Sequence, residues 1–154
     1  MNTWLHLRSM FRSECGSSLV ELAFLSPLLM LLLLGLVDFG RAYLIASELA
    51  SAAHAGAVYG SGSPTDSSGI QNAATNDATG IAGLAVATPT WGCECSDGTS
   101  YAASCSSTPT CTGNNVVYRV KVTVTATYHP WSPWPGVPSS IPLSRAATMR
   151  SGGS

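Results

Sequence analysis

The sequence predicts an α+β protein. One long N-terminal helix, transmembrane in its first part, leads into a small domain with an antiparallel sheet and a disulfide-bearing loop. Three observations carry this expectation. Leu19–Val37 is an unbroken run of mostly apolar residues, Val116–Tyr128 alternates apolar and polar residues, and Cys93, Cys95, Cys105 and Cys111 crowd into one polar stretch.

Length and composition set the bounds. A chain of 154 residues has room for one small domain beside the apolar run, and small domains bury a low fraction of their surface. Charged residues make up 10 % of the chain and the formal net charge is −1, against roughly 25 % charged residues in an ordinary soluble domain. Nucleic acid is thereby excluded as a partner, because phosphate binding needs a basic patch. The seven Lys and Arg residues form no cluster beyond Arg119 and Lys121.

Residues 1–16 read as a leader. They hold Arg8 and Arg12 against one acid, Glu14, and contain no apolar core of their own. A secretory signal places its small-residue cleavage site after the apolar run, whereas Gly16-Ser17-Ser18 precedes it. Cleavage there leaves the helix on the mature chain. Cys15 follows Arg12-Ser13-Glu14 rather than an apolar segment, which argues against a lipidated cysteine.

Residues 17–59 form the helical segment. The nineteen residues Leu19–Val37 make a helix of about 28 Å, close to the roughly 30 Å hydrocarbon core of a bilayer. Arg8 and Arg12 precede the run, while Asp38 and Arg41 balance each other after it. The positive-inside bias therefore puts the N-terminus in the cytoplasm and the rest of the chain outside. Glu21 sits three residues into the span, where it either snorkels to the interface or is reserved for a partner. Pro27 removes one helical hydrogen bond and loosens the helix locally.

Beyond Asp38 the helix continues to about Tyr59. Phe39, Tyr43, Ala46, Ala50, Ala53 and Ala57 recur at spacings of four and three, an apolar stripe from which Arg41, Glu48, Ser51 and His54 are offset. Its small residues permit close approach, so it packs on its own domain, on neighbouring subunits, or on both.

Residues 60–154 form the exported domain. Gly60–Gly69 is a turn-rich connector, and Ile70, Ala74, Ala78, Ile81 and Ala85 predict a short helix over Ile70–Leu84 despite Gly80 and Gly83. Leu84–Trp91 is extended but broken by Pro89, as at an edge or strand end. Val116–Tyr128 is the clearest strand, with Tyr118, Val120, Val122, Val124, Ala126 and Tyr128 on one face. Ile141, Leu143, Ala147 and Met149 repeat the alternation more weakly.

The cysteines fall in an excursion between strands. In an oxidising compartment an even, closely spaced set reads as two disulfides. A Cys93–Cys95 bridge is disfavoured by ring strain, and a hairpin would nest Cys95 with Cys105 and Cys93 with Cys111. Zinc is disfavoured because the usual paired knuckles are missing. Glu94, Asp97 and Asp66 form no regular calcium loop, so no metal is expected. The rigid segment His129–Pro138 carries Trp131 and Trp134, either anchors for a partner or, more commonly in such segments, a strand connection capped against the core.

Gly16-Ser-Ser-Leu-Val-Glu21 resembles a type IV prepilin processing site. The longer set Val20-Glu21, Ser26-Pro27-Leu28, Gly35, Asp38-Phe39-Gly40-Arg41 and Ala52-Ala53-His54-Ala55-Gly56-Ala57 is similar to the TadE-like pseudopilins of tight-adherence (Flp) pilus systems. His54 departs from it, since many relatives carry Arg there. The resemblance implies a pilin-like domain, a leader cut between Gly16 and Ser17 by a prepilin peptidase, and Glu21 needed for assembly. It also implies an inner-membrane minor subunit whose partners are other pilins and the assembly machinery.

Catalysis is not expected. His6, His54 and His129 are scattered, no nucleophile has an evident base, and no phosphate-binding glycine loop is present. Neither a cofactor nor a small-molecule substrate is indicated. The remaining alternative is a permanently anchored exported domain acting as adhesin or receptor, with the leader retained.

Overall fold

The computed structural model describes residues 15–107, 109–131 and 135–152. Residues 1–14 of the expected leader, and Trp134, lie outside the described residues. Helix α1 (Cys15–Gly62) is followed by α2 (Ser67–Asp77) and five strands: β1 (Ala85–Val86), β2 (Thr90–Cys95), β3 (Tyr101–Ala102), β4 (Val116–Tyr128) and β5 (Ile141–Gly152). The chain divides into two compact units between Phe39 and Gly40, within α1.

In the first unit, the Leu-rich run favours helix through straight-chain side chains that lose little rotamer freedom. Pro27 lies inside α1; having no N–H, it leaves the carbonyl of Ala23 without its usual helical partner.

In the second unit, every strand pairing is antiparallel. Strand β4 is the centre of the sheet. β5 covers one edge over Val117–Tyr128, while β2 and β1 share the other, opposite Val116–Lys121 and Val124–Thr125. Pro89, which has no N–H for a ladder, falls in the gap between β1 and β2. The small strand β3 extends the sheet beyond β2.

The core lies between the inner face of this sheet and two helices. Val120, Val122, Val124 and Ala126 of β4 pack with Leu49, Ala52, Ala53 and Ala57 of α1 and with Ile70, Ala74 and Ala78 around α2. Full burial of each larger side chain here contributes roughly 1.5–3 kcal/mol. The small-residue stretch of α1 therefore packs on its own domain. Its buried face is rotated from the expected stripe: Ala46, Ala53 and Ala57 are buried, but Tyr43 is 65 % exposed and Ala50 is exposed. Leu49, Gly56 and Gly60 take over, because only glycine lets the helix backbone meet β4 and α2 this closely. A Cβ on Gly56 would lie 3.1 Å from Ala74 Cβ and 3.2 Å from Val122 Cγ1.

Helix α2 starts earlier and stops earlier than expected. Asp66 caps it, accepting from the Gly69 N–H at 2.9 Å and from Ser68 Oγ at 2.9 Å. Tyr59 donates to the other carboxylate oxygen at 2.8 Å, tying α1 to the cap. These donors, the Gly69 N–H foremost, hold the Asp66 carboxyl below the usual carboxylate range. At the far end Ala78 is the C-cap, with its backbone out of helical conformation and its N–H returning to Thr75 O, so the helix stops before Gly80 and Gly83.

Candidate assembly segment and the sheet end

In the apolar run of α1 every Leu, Val, Phe and Met from Leu19 to Val37 is between 49 % and 81 % exposed. Among the described residues nothing covers them. An apolar surface of this extent marks a membrane or a partner, and the helix is long and apolar enough to cross a bilayer. Gly16 and Ser17 lie in the first turn of α1. Glu21 is exposed four residues after Ser17, so both positions share one helix face.

The cysteines are paired differently from the nested expectation. Cys93 is bonded to Cys105 with a Cα separation of 5.2 Å, and Cys95 to Cys111 with 5.5 Å. The reason lies in β2, which contains both Cys93 and Cys95 rather than ending before them. The β2–β3 register sets Ala102 opposite Cys93, so the chain delivers Cys105 three residues later to that strand position. Cys95 lies opposite Val116, where the chain returns into β4, and Cys111 precedes that point by five residues. All four thiols are consumed, which removes the zinc alternative.

Between the two cysteines, Glu94 points to the other face of the sheet and is only 4 % exposed. Its Oε2 accepts an ion pair from Arg119 Nε at 3.2 Å, and its Oε1 pairs with Arg150 Nη2. Arg119 and Arg150 are direct cross-strand neighbours, an arrangement of like charges that is unfavourable without a counterion. Glu94 supplies it. The Arg119 guanidinium also lies 5.0 Å from the Tyr101 ring centroid, and Tyr101 is the residue paired with Glu94. A Cβ on Gly92 would come within 2.9 Å of the Tyr101 ring, so glycine is what admits the aromatic side chain there. Together with Gly98 and Thr148 these groups line an open cleft.

Sequence reading missed this cluster, because Glu94, Arg119 and Arg150 meet only through the registers of three strands. The three carboxylates considered for calcium do not converge. Asp66 caps α2, and Glu94 binds arginines. Asp97 accepts from the Thr99 N–H and hydroxyl and from Asn114 Nδ2, contacts of which the Thr99 N–H does most to lower its pKa. Among the described residues no three His, Cys, Asp or Glu side chains gather as metal ligands.

A second aromatic–cation group sits at the opposite end of β4. Arg41 Cζ lies 5.7 Å from the Tyr128 ring centroid and 4.8 Å from that of Trp131, contacts each contributing roughly 0.5–2 kcal/mol. Tyr128 is buried, whereas Trp131 is 78 % exposed and is not capped against the core as such connections usually are.

Residues 16–58 match the family model described as TadE-like protein. Over this helical segment the chain is similar to the TadE-like family. The match begins at the residue expected to precede the cut. The sheet lies beyond the matched residues, and no curated protein or solved structure matches the chain significantly.

Proposed function

We propose that this TadE-like protein is a minor pseudopilin that takes part in assembling a tight-adherence (Flp) pilus used in surface adhesion. A prepilin peptidase cuts between Gly16 and Ser17. The mature chain stays in the inner membrane as a single-pass protein, N-terminus cytoplasmic and sheet domain exported, until it joins other pilins. Its role is assembly rather than catalysis.

The observation that carries this reading is the family match, which opens at Gly16 and covers the exposed apolar helix with Glu21 in it. Cutting there frees an ammonium group at Ser17 and makes that residue the start of the helix, whose N-terminal dipole adds positive charge. Glu21 of a neighbouring subunit is the complementary charge in a low-dielectric helical bundle. Pro27 gives the helix a loosened point at which to repack on leaving lipid.

Intact-mass measurement of the protein from its native host tests the proposal. A mature chain beginning at Ser17, with processing blocked in Gly16→Ala, is the expected result. Retention of residues 1–16 with no effect of that substitution would instead establish a permanently anchored adhesin or receptor.

A further inference from the structure

We infer that Trp131 is a membrane-interface anchor, held by Arg41 in the phospholipid headgroup layer at the exit of the apolar helix. Arg41 follows Val37, the end of the apolar run, by four residues of α1. α1 is helical throughout this stretch, and four helical residues rise about 6 Å. The polar layer outside the hydrocarbon core is roughly 5–8 Å deep on each side, taken from total and core bilayer thickness. Arg41 is therefore tethered to headgroup depth, and whatever stacks on Arg41 is carried with it.

Trp131 stacks on it, at 4.8 Å from guanidinium carbon to ring centroid. The other ring on Arg41, Tyr128, is the buried last residue of β4 and fixes the guanidinium from the sheet side. Trp131 is the outer member, 78 % exposed, an unusual setting for the largest apolar side chain in water. In a headgroup layer the same setting is favourable, because indole has an apolar body and one N–H donor and concentrates where lipid meets water. Tyr43 supports the placement. It is two residues beyond Arg41, 65 % exposed, and at 100° per residue it leaves α1 on the other side. The helix exit thus carries aromatic rings on two sides. A protein partner would also accept an exposed Trp, but the four-residue tether to the apolar run favours lipid.

The inference rests on α1 crossing a bilayer and is independent of leader processing and pilus recruitment. The test uses the full chain and its Trp131→Phe variant in vesicles of phosphatidylethanolamine and phosphatidylglycerol. One vesicle set carries bromine on acyl carbons next to the glycerol, and another carries it near the chain ends. Both proteins should float with the vesicles. The share of tryptophan emission quenched by the shallow bromine should fall in Trp131→Phe, while quenching by the deep bromine should be the same in both. Equal shallow quenching in the two proteins would place Trp131 outside the lipid and overturn the assignment. Failure of the full chain to float would overturn it too, through loss of the membrane helix, and flotation separates the two failures.

Discussion

A Cβ on Gly60 would lie 2.7 Å from Cγ1 of Val120, closer than any real side-chain carbon sits. The last turn of α1 therefore meets the central strand backbone to side chain. Gly60→Ala is expected to destabilise the sheet domain by about 1–3 kcal/mol through overpacking. Gly62→Ala, with nothing within 4 Å of the added carbon, serves as the neutral control. Chemical denaturation of the full chain in detergent, followed by near-ultraviolet circular dichroism, compares the two.

Glu94→Gln should destabilise the same domain by about 1–3 kcal/mol, since it strips the charge from a buried acceptor of two guanidinium groups. Arg150→Gln should cost less, because that side chain is 53 % exposed. A double-mutant cycle between the two positions reads the coupling directly.

The bridges Cys93–Cys105 and Cys95–Cys111 enclose sequence separations of 12 and 16. Removing either is expected to cost about 3 kcal/mol on loop-closure grounds. Cleavage after Glu94 by a glutamate-specific protease under denaturing, non-reducing conditions separates the two β2 cysteines. The fragment that starts at Cys95 still carries Cys105 and Cys111, so breaking the Thr108–Pro109 bond in the mass spectrometer supplies a second cut: the observed pairs hold the Cys93, Cys95/Cys105 and Cys111 pieces together, whereas nested pairs release the middle piece. Nested pairs would contradict the fold.

The Asp66 cap gives α2 an acid limit. Its folded pKa lies below the ordinary value of 3.8, so its contribution to stability is fully present above that value. It is lost as pH falls from there through the folded pKa. Asp97 is shifted the same way, so the informative quantity is the difference between wild type and Asp66→Asn. That variant keeps a capping oxygen but no charge, and should show a shallower loss of Tm over about pH 5 to 2.

Glu21→Ala is expected to leave membrane insertion and cleavage intact while abolishing recruitment into the pilus complex. Co-purification of the variant with other pilus components checks it, and recruitment at the wild-type level would remove Glu21 from the assembly role. Glu21 is exposed on α1, so its loss leaves the fold of the chain intact.

Long, strongly periodic segments were legible from sequence. β4 begins at Val116 and ends at Tyr128 as its alternation indicates, and α1 passes Tyr59 by only a turn. What escaped depends on encounters between distant segments. The face of α1 that is buried was chosen by glycine clearance against Val120 and Val122, not by the apolar stripe alone. Strand β2 was hidden because Trp91-Gly-Cys-Glu-Cys95 has no β-branched residue, and its pairing with β4 does what propensity does not. The candidate assembly residues were readable for the opposite reason. Gly16, Ser17, Glu21 and Pro27 form a local pattern along a single helix, and no tertiary contact is needed to recognise it.

The crossed bridges carry a consequence for how the chain matures. Pairing by sequence proximity would join Cys105 to Cys111, six residues apart, and that pair does not exist in the folded protein. The β2–β3 hairpin must therefore form before the thiols are committed, or the first bridges must be reshuffled by thiol exchange. A cell lacking a disulfide isomerase would then make this protein only as fast as its sheet can find its register.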